Sequence, residues 1–288
     1  MRDTILFGDC RETLKEFDEK ARMCVTSPPY YGLRDYGGEE SQIGLEQTPE
    51  EFINELVKVF NEVKNVLTDD GTCWVNIGDS YYNYRPGRGQ GLAKQTVSNT
   101  KQDLPDVCPR RGNRIRGLKE KDLIGIPWMF AFAMRADGWY LRQDIIWSKP
   151  NPMPESVRDR CTKSHEYMFL FSKNQNYYFD VDAIKEPTRR KRSVWNVTKK
   201  PYKGAHFAVY PPELIEPCIK AGSEEGDIVL DPFMGSGTTA AVAKSLGRDY
   251  IGCELHEDYG NLIQKRVKEY HPVEEVSQET SINILDIV

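Results

Sequence analysis

The 288-residue sequence has no long apolar run. A spanning helix needs about 20 consecutive apolar residues, so no membrane segment is expected. The N-terminus, MRDTILFGDC, lacks an apolar stretch of signal-peptide length, and a cytoplasmic location is the default expectation. Histidine is scarce, with four residues, and no C-x-x-C pair occurs among the seven cysteines at 10, 24, 73, 108, 161, 218 and 253. That scatter disfavours a disulfide framework and a metal site, and buried reduced thiols account for it better. Positive charge is also in deficit: 39 Lys and Arg against 44 Asp and Glu leave a formal charge of −5. Such a balance argues against nucleic acid, because phosphate binding draws on basic residues.

The distribution of charge weakens that exclusion. Residues 85–121 hold ten Lys/Arg against three Asp/Glu, and residues 185–203 hold eight against one. Two such runs suit a basic cleft on an acidic body, with two solvated loops as the bland alternative. With 39% hydrophobic and 29% charged residues, the rest of the chain has the means to build an ordinary core.

Periodicity predicts strands over 4–8, 21–26, 73–78, 140–149, 165–173, 227–233 and 249–255. Helices are predicted over 10–20, 48–67, 122–137, 212–221, 238–246 and 258–270. The second of these opens with a capping box, Thr48 and Glu51, and repeats apolar residues at Phe52, Leu56, Val59, Phe60 and Val63. Asp70-Gly71 reads as a turn and residues 176–180 as a hairpin partner. Residues 80–118 lose all periodicity. Alternating strands and helices predict an α/β, Rossmann-like, doubly wound and mostly parallel sheet.

Two loops carry the chemistry. Asp231-Pro232-Phe233-Met234-Gly235-Ser236-Gly237-Thr238-Thr239 leaves an apolar strand and enters a helix. Glycines there allow close backbone approach, and the helix start offers free N–H groups. No Lys follows Gly237, which disfavours an ATP phosphate loop, and a dinucleotide fingerprint fits only weakly with Ala240. S-adenosylmethionine fits better. Asp231 would meet its ammonium, the loop from Phe233 through Gly235, Ser236, Gly237 and Thr238 its carboxylate, and Glu254, ending the next strand, its ribose. The second loop, Ser27-Pro28-Pro29-Tyr30, ends a predicted strand. Its rigid Pro-Pro pair holds the Ser27 side chain and the carbonyls of Ser27 and Pro28 in fixed directions; two acceptors aimed at one point suit an –NH₂ group, and Tyr30 offers a flat face for an extruded base. Alone, the same residues read as a proline turn.

Together the two loops resemble the amino-methyltransferases of DNA, the N6-adenine and N4-cytosine families, in the order of the β class, over residues 3–265. The resemblance implies a circularly permuted S-adenosylmethionine-dependent methyltransferase fold. It also implies duplex DNA as partner and base flipping into the Ser27–Tyr30 loop. Residues 1–270 would form one catalytic domain, with DNA-contacting insertions at about 80–118 and 181–205 and a tail over 271–288. By resemblance, Asp9 would contact the cofactor's adenine amino group, and the segment with Phe207 would pack at its methionine end. Two further segments, 147–152 and 163–167, resemble family segments, with strand ends and core packing as the plain alternative. Arg110, Arg111, Arg114, Arg116, Arg189, Arg190, Lys191 and Arg192 are the expected DNA contacts. Ser27 tilts the target toward cytosine N4, with adenine N6 as the alternative. An RNA or protein-glutamine methyltransferase and a catalytically inactive nucleic-acid-binding relative are the rivals. Pro217-Cys218 lies inside a predicted helix, so Cys218 is read as core. No metal is expected, and a homodimer and a separate restriction endonuclease stay open.

Overall fold

A computed structural model describes residues 1–35, 41–82, 95–96, 115, 117–199 and 210–271. The strands are β1 (Thr4–Phe7), β2 (Ala21–Thr26), β3 (Arg34–Asp35), β4 (Leu67–Ile77), β5 (Gln95–Thr96), β6 (Tyr140–Ser148), β7 (His165–Ser172), β8 (Val194–Asn196), β9 (Ile228–Asp231) and β10 (Asp249–Glu254). The α-helices are α1 (Cys10–Thr13), α2 (Pro49–Val66), α3 (Ile126–Ala136), α4 (Pro212–Gly222), α5 (Thr238–Ser245) and α6 (Gly260–Glu269).

Eight strands form one sheet in the order β1-β10-β9-β2-β4-β7-β6-β8, and β3 pairs with β5 apart from it. Only β7 runs against its neighbours in the large sheet. The sheet is therefore mostly parallel, as alternating elements predict. Its central strands are buried on both faces, as parallel strands require: all of β9, and all of β2 except Arg22, lie in the interior. On one face α2 packs Phe52, Leu56, Val59, Phe60 and Val63 into a cluster with Cys24, Val75 and Phe169. On the other, Leu214, Ile215 and Cys218 of α4 and Ala240 and Val242 of α5 meet Met23, Val25 and Val229. Cys218 is thus core, as read from the sequence, and burial pushes its thiol up.

The capping box at Thr48 is present, with Pro49 opening α2. Proline suits that place because the first helical N–H has no partner to lose. Three expectations need correction. Asp70-Gly71 is not a terminal turn: β4 begins at Leu67, and an irregularity in its pairing with β2 absorbs these residues. Residues 176–180 form no hairpin strand, because the Tyr178 and Asp180 amides donate to Asp70 and Ala221 instead. The basic stretch 181–205 contains an unforeseen edge strand, β8, parallel to β6. Of the six described cysteines five are buried, whereas Cys161 is exposed.

One topological feature places the site. From β9 the chain passes through α5 to β10 on one side, and from β2 through α2 to β4 on the other. The winding reverses between β9 and β2, which are hydrogen-bonded parallel neighbours. In open α/β sheets ligands bind outside the carboxyl ends of strands at such a switch point. Here those two carboxyl ends run into Ser27 and Pro232.

Candidate active site

At the end of β9, Asp231 is 1% exposed and its carboxylate takes four hydrogen bonds. Thr26 Oγ1 donates at 2.5 Å and the Phe233 amide at 3.0 Å to Oδ1, while Tyr210 Oη (3.1 Å) and Thr239 Oγ1 donate to Oδ2. Those donors fill the lone-pair positions of a carboxylate. Burial raises the Asp231 carboxyl above its ordinary range, with the four bonds opposing that rise. The geometry departs from the expected ammonium contact: Asp231 ties the glycine loop to β2 and has no face open to a ligand.

The loop itself is built for close approach. Gly235 and Gly237 both have positive φ, 53° and 82°. A Cβ on Gly237 would stand 2.8 Å from Ile263 Cγ2, so only glycine fits between the loop and α6. Ser236 is buried and accepts from Arg266 at 2.5 Å. Thr238, the first residue of α5, is 3% exposed, and its hydroxyl has no hydrogen-bond partner among the described residues. A buried hydroxyl without a partner is costly, and its place beside the free N–H groups of the helix start suits a carboxylate.

Glu254 ends β10 at 8% exposure and accepts from the Gly235 amide at 2.8 Å and the His256 amide at 3.1 Å. Burial outweighs these bonds and pushes its carboxyl up to about 7. Asp9, at the end of β1, caps α1 and is gripped by Arg11, whose Nη2 lies 2.5 Å from Oδ2. Burial opposes its charge, but Arg11 prevails and holds Asp9 below the ordinary carboxylate value. Glu254 ends β10 against the glycine loop, and Asp9 follows the end of the neighbouring parallel strand β1, whose Phe7 pairs with Glu254. Phe233 is half-buried and packs against the core cluster on the α2 side of the sheet. Phe207 lies outside the described residues.

At the end of β2, Ser27 is half-buried, Pro28 buried and Tyr30 half-buried. The Tyr30 hydroxyl donates to Glu166 Oε2 at 2.6 Å and lies 3.2 Å from Asn76 Oδ1. Glu166 is paired in turn with Lys149. Burial opposes the charge on Glu166, and Lys149 outweighs it, keeping the carboxyl below its ordinary value. Gly78 backs the Tyr30 ring: a Cβ there would stand 2.6 Å from Tyr30 Cε2. Asp79 accepts from the Ser80, Gly125 and Ile126 amides and so closes the start of α3.

Asn76, Gly78, Asp79 and Thr26 carry no predicted role in the sequence. Thr239 in the glycine loop, Tyr210 in the segment with Phe207, and Lys149 and Glu166 in segments 147–152 and 163–167 lie in family-like segments without a predicted role of their own. Within the glycine loop only the Thr238-Thr239 pair at the helix start is a local signal. The others depend on strand register.

The comparisons with known proteins fit this geometry. Residues 21–265 match the N6/N4 methyltransferase family model, described as DNA methylase. The chain belongs to that family. Its methyl donor is S-adenosylmethionine. Type II methyltransferase M.XycI of Xanthomonas campestris pv. cyanopsidis is 50% identical over 281 residues, covering 93% of this chain and 89% of the relative. Among solved structures, PvuII DNA methyltransferase (cytosine-N4-specific) aligns with a TM-score of 0.68 at 20% identity, covering 96% of this chain and 89% of that one. M1.HpyAVI in complex with SAM aligns with a TM-score of 0.57 at 20% identity, over 92% of this chain and 98% of that one. These two likenesses speak for the fold.

The expected DNA contacts divide. Arg110, Arg111, Arg114 and Arg116 lie outside the described residues. Arg189, Arg190 and Arg192 precede β8, with Arg190 exposed, Arg189 paired to Glu186, and Lys191 Nζ 5.1 Å from the Trp195 ring centre. The sheet does not bring them to the Ser27 loop. β8 stands four strands from β2, about 19 Å at ordinary strand spacing. Among the described residues no group of His, Cys, Asp and Glu is arranged to hold a metal, and no helix is long and apolar enough to cross a membrane.

Proposed function

We propose that this DNA methylase transfers a methyl group from S-adenosylmethionine to N4 of a cytosine flipped out of duplex DNA. We place it as the modification enzyme of a Type II restriction–modification system, a role taken from the Type II methyltransferases it resembles. The carrying observation is the Thr26–Asp231 bond, at 2.5 Å. It makes the base loop and the cofactor loop start from one locked point at the switch of the sheet. An amino group held at Ser27 and a donor held at Gly235–Thr238 are then neighbours.

The residues present fit the cofactor. Thr238 Oγ1 and the α5 start would take its carboxylate, Glu254 its ribose hydroxyls, and Asp9 its adenine amino group. Asp231 would act through the loop it braces. The bound donor supplies an electrophilic methyl group on a sulfonium. As the sulfonium becomes a thioether the amino nitrogen sheds one proton through its acceptor at Ser27, and the rest is positioning. Ser27 Oγ and a loop carbonyl accept the two amino protons. That draws electron density onto a nitrogen whose lone pair is otherwise delocalised into the ring. Tyr30 carries the flipped base on its face. No covalent nucleophile is required, consistent with Cys218 deep in the core. The order of the loops along the chain, Ser27 before Asp231, matches the β-class arrangement.

Ser27, where adenine enzymes of the resemblance more often carry an acid or amide, favours cytosine. Incubation with labelled S-adenosylmethionine and unmethylated plasmid DNA, then digestion to nucleosides, tests this. N4-methylcytosine is the expected product, and N6-methyladenine alone would overturn the assignment.

A further inference from the structure

A second cluster of charge lies beside the base loop and does not touch the cofactor loop. It joins three strands at their site ends. Asn76 comes from β4, Glu166 from β7, and Lys149 directly follows β6. Lys149 and Glu166 form an ion pair at 6% and 15% side-chain exposure. Lys149 Nζ also sits 4.2 Å from the Trp147 ring centre. The Asn76 amide donates to the Tyr167 carbonyl at 3.0 Å and lies 3.4 Å from Glu166 Oε2. Lys199 adds positive charge near Glu166, and its backbone is clasped on both sides by the Asn151 side chain at 3.0 Å.

Methyl transfer to an amino group asks for no such pair. A buried ion pair is also a weak source of stability, since apolar residues of similar size often replace one without loss. What the pair does have is one outward connection toward the chemistry: Glu166 Oε2 receives the Tyr30 hydroxyl at 2.6 Å. The Tyr30 ring is consequently held at its backbone by the Pro28-Pro29 turn, on its face by Gly78 and at its far end by Glu166.

We propose that Lys149 and Glu166 are positioning residues that act through the Tyr30 hydroxyl, fixing the plane on which the flipped base is received. Lys149 keeps Glu166 a carboxylate, and the carboxylate fixes the phenol. This rests on the reading of Tyr30 as the base platform, and it applies whichever base is methylated. The pair contributes to the transfer step and leaves cofactor binding alone.

Single replacements would strand a buried charge, so paired ones carry the test. Lys149→Met with Glu166→Leu removes the pair and the acceptor. Lys149→Met with Glu166→Gln removes the pair and keeps an acceptor for Tyr30. Single-turnover methylation of unmethylated plasmid DNA with tritiated S-adenosylmethionine gives the rates, calorimetry the cofactor Kd, and thermal melts the stability. The Leu pair is expected to transfer about 30-fold more slowly, the scale of removing one charge-assisted hydrogen bond, with Kd unchanged. The Gln pair is expected to recover most of that deficit. In a Tyr30→Phe background the Leu and Gln pairs are expected to be equal. A merely structural role would instead make the two pairs alike in the Tyr30 background, with rates following their melting temperatures, and that result overturns the proposal. A Leu pair as fast as wild type overturns it too. Tyr30→Ala separates the underlying reading: if it transfers at the wild-type rate the platform itself fails, and if it is inactive beside a fully active Leu pair only the positioning role fails.

Discussion

Thr26 and Asp231, 205 residues apart in the chain, are joined by a 2.5 Å hydrogen bond between the ends of β2 and β9. Thr26 is fully buried, and Asp231 nearly so. Replacing Thr26 by the isosteric Val removes one of four donors to an enclosed carboxylate. A destabilisation of about 1–3 kcal/mol is expected, read as a melting point lowered by several degrees. Weaker S-adenosylmethionine binding should accompany it, because the glycine loop is no longer tied to β2. An unchanged melting point and Kd would show that the bond does not brace the loop.

Gly78 gives a test of the base side alone. In Gly78→Ala the new methyl group would lie 2.6 Å from Tyr30 Cε2, with the ring's far end held by Glu166. The ring must shift. At least a tenfold drop in methyl transfer is expected, on the view that about an ångström of misplacement costs up to a hundredfold. Cofactor affinity should stay as in wild type.

Glu254 sets a pH dependence. Burial raises its carboxyl to about 7, and the ribose hydroxyls proposed to donate to it would favour the ionised form. Affinity for S-adenosylmethionine should therefore fall as pH drops through 7, by about tenfold between pH 8 and pH 6, with proton release on binding near neutrality. For folding the sign is reversed. A carboxyl with a raised folded value contributes stability that is full below its unfolded value and lost as pH rises through about 7. Calorimetry in buffers of different ionisation enthalpy checks the first statement, and melts between pH 5 and 8 check the second. Glu254→Gln should flatten both profiles.

The basic residues before β8 are expected to meet phosphates. Neutralising Arg189 and Arg190, both exposed, should reduce the slope of log affinity against log salt by about 0.9 for each phosphate no longer neutralised. An unchanged slope would remove this edge of the sheet from the DNA footprint. The same measurement on Arg110, Arg111, Arg114 and Arg116 tests the other basic run.

Sequence and structure agree most where the signal is local. The α2 capping box needs only Thr48, Glu51 and the apolar repeat after them. The two loops were readable because a Pro-Pro turn and a glycine-rich strand exit are contiguous. The site's support was not. Asn76 meets Glu166 because β4 and β7 pair with Asn76 opposite Met168 and Ile77 opposite Tyr167, and no pattern along the chain encodes that register. β8 has three residues and pairs with a strand about 50 positions earlier, too short for alternation to announce it. Asp231 looked like a ligand for a cation because an acid before a glycine loop can be one. Its enclosure comes from Thr26 and Tyr210, each distant in sequence. Asp79 caps α3 across 46 residues, where a cap is normally sought at the adjoining position.

On the function proposed above, one half of the site holds the base and the other holds the donor. Ser27→Ala tests it most directly, by calorimetric titration with S-adenosylmethionine and single-turnover methylation of plasmid DNA on the same preparation. A Kd within about threefold of wild type is expected, with methyl transfer slowed by about a hundredfold or more. Wild-type transfer, or abolished cofactor binding with the fold intact, would contradict it.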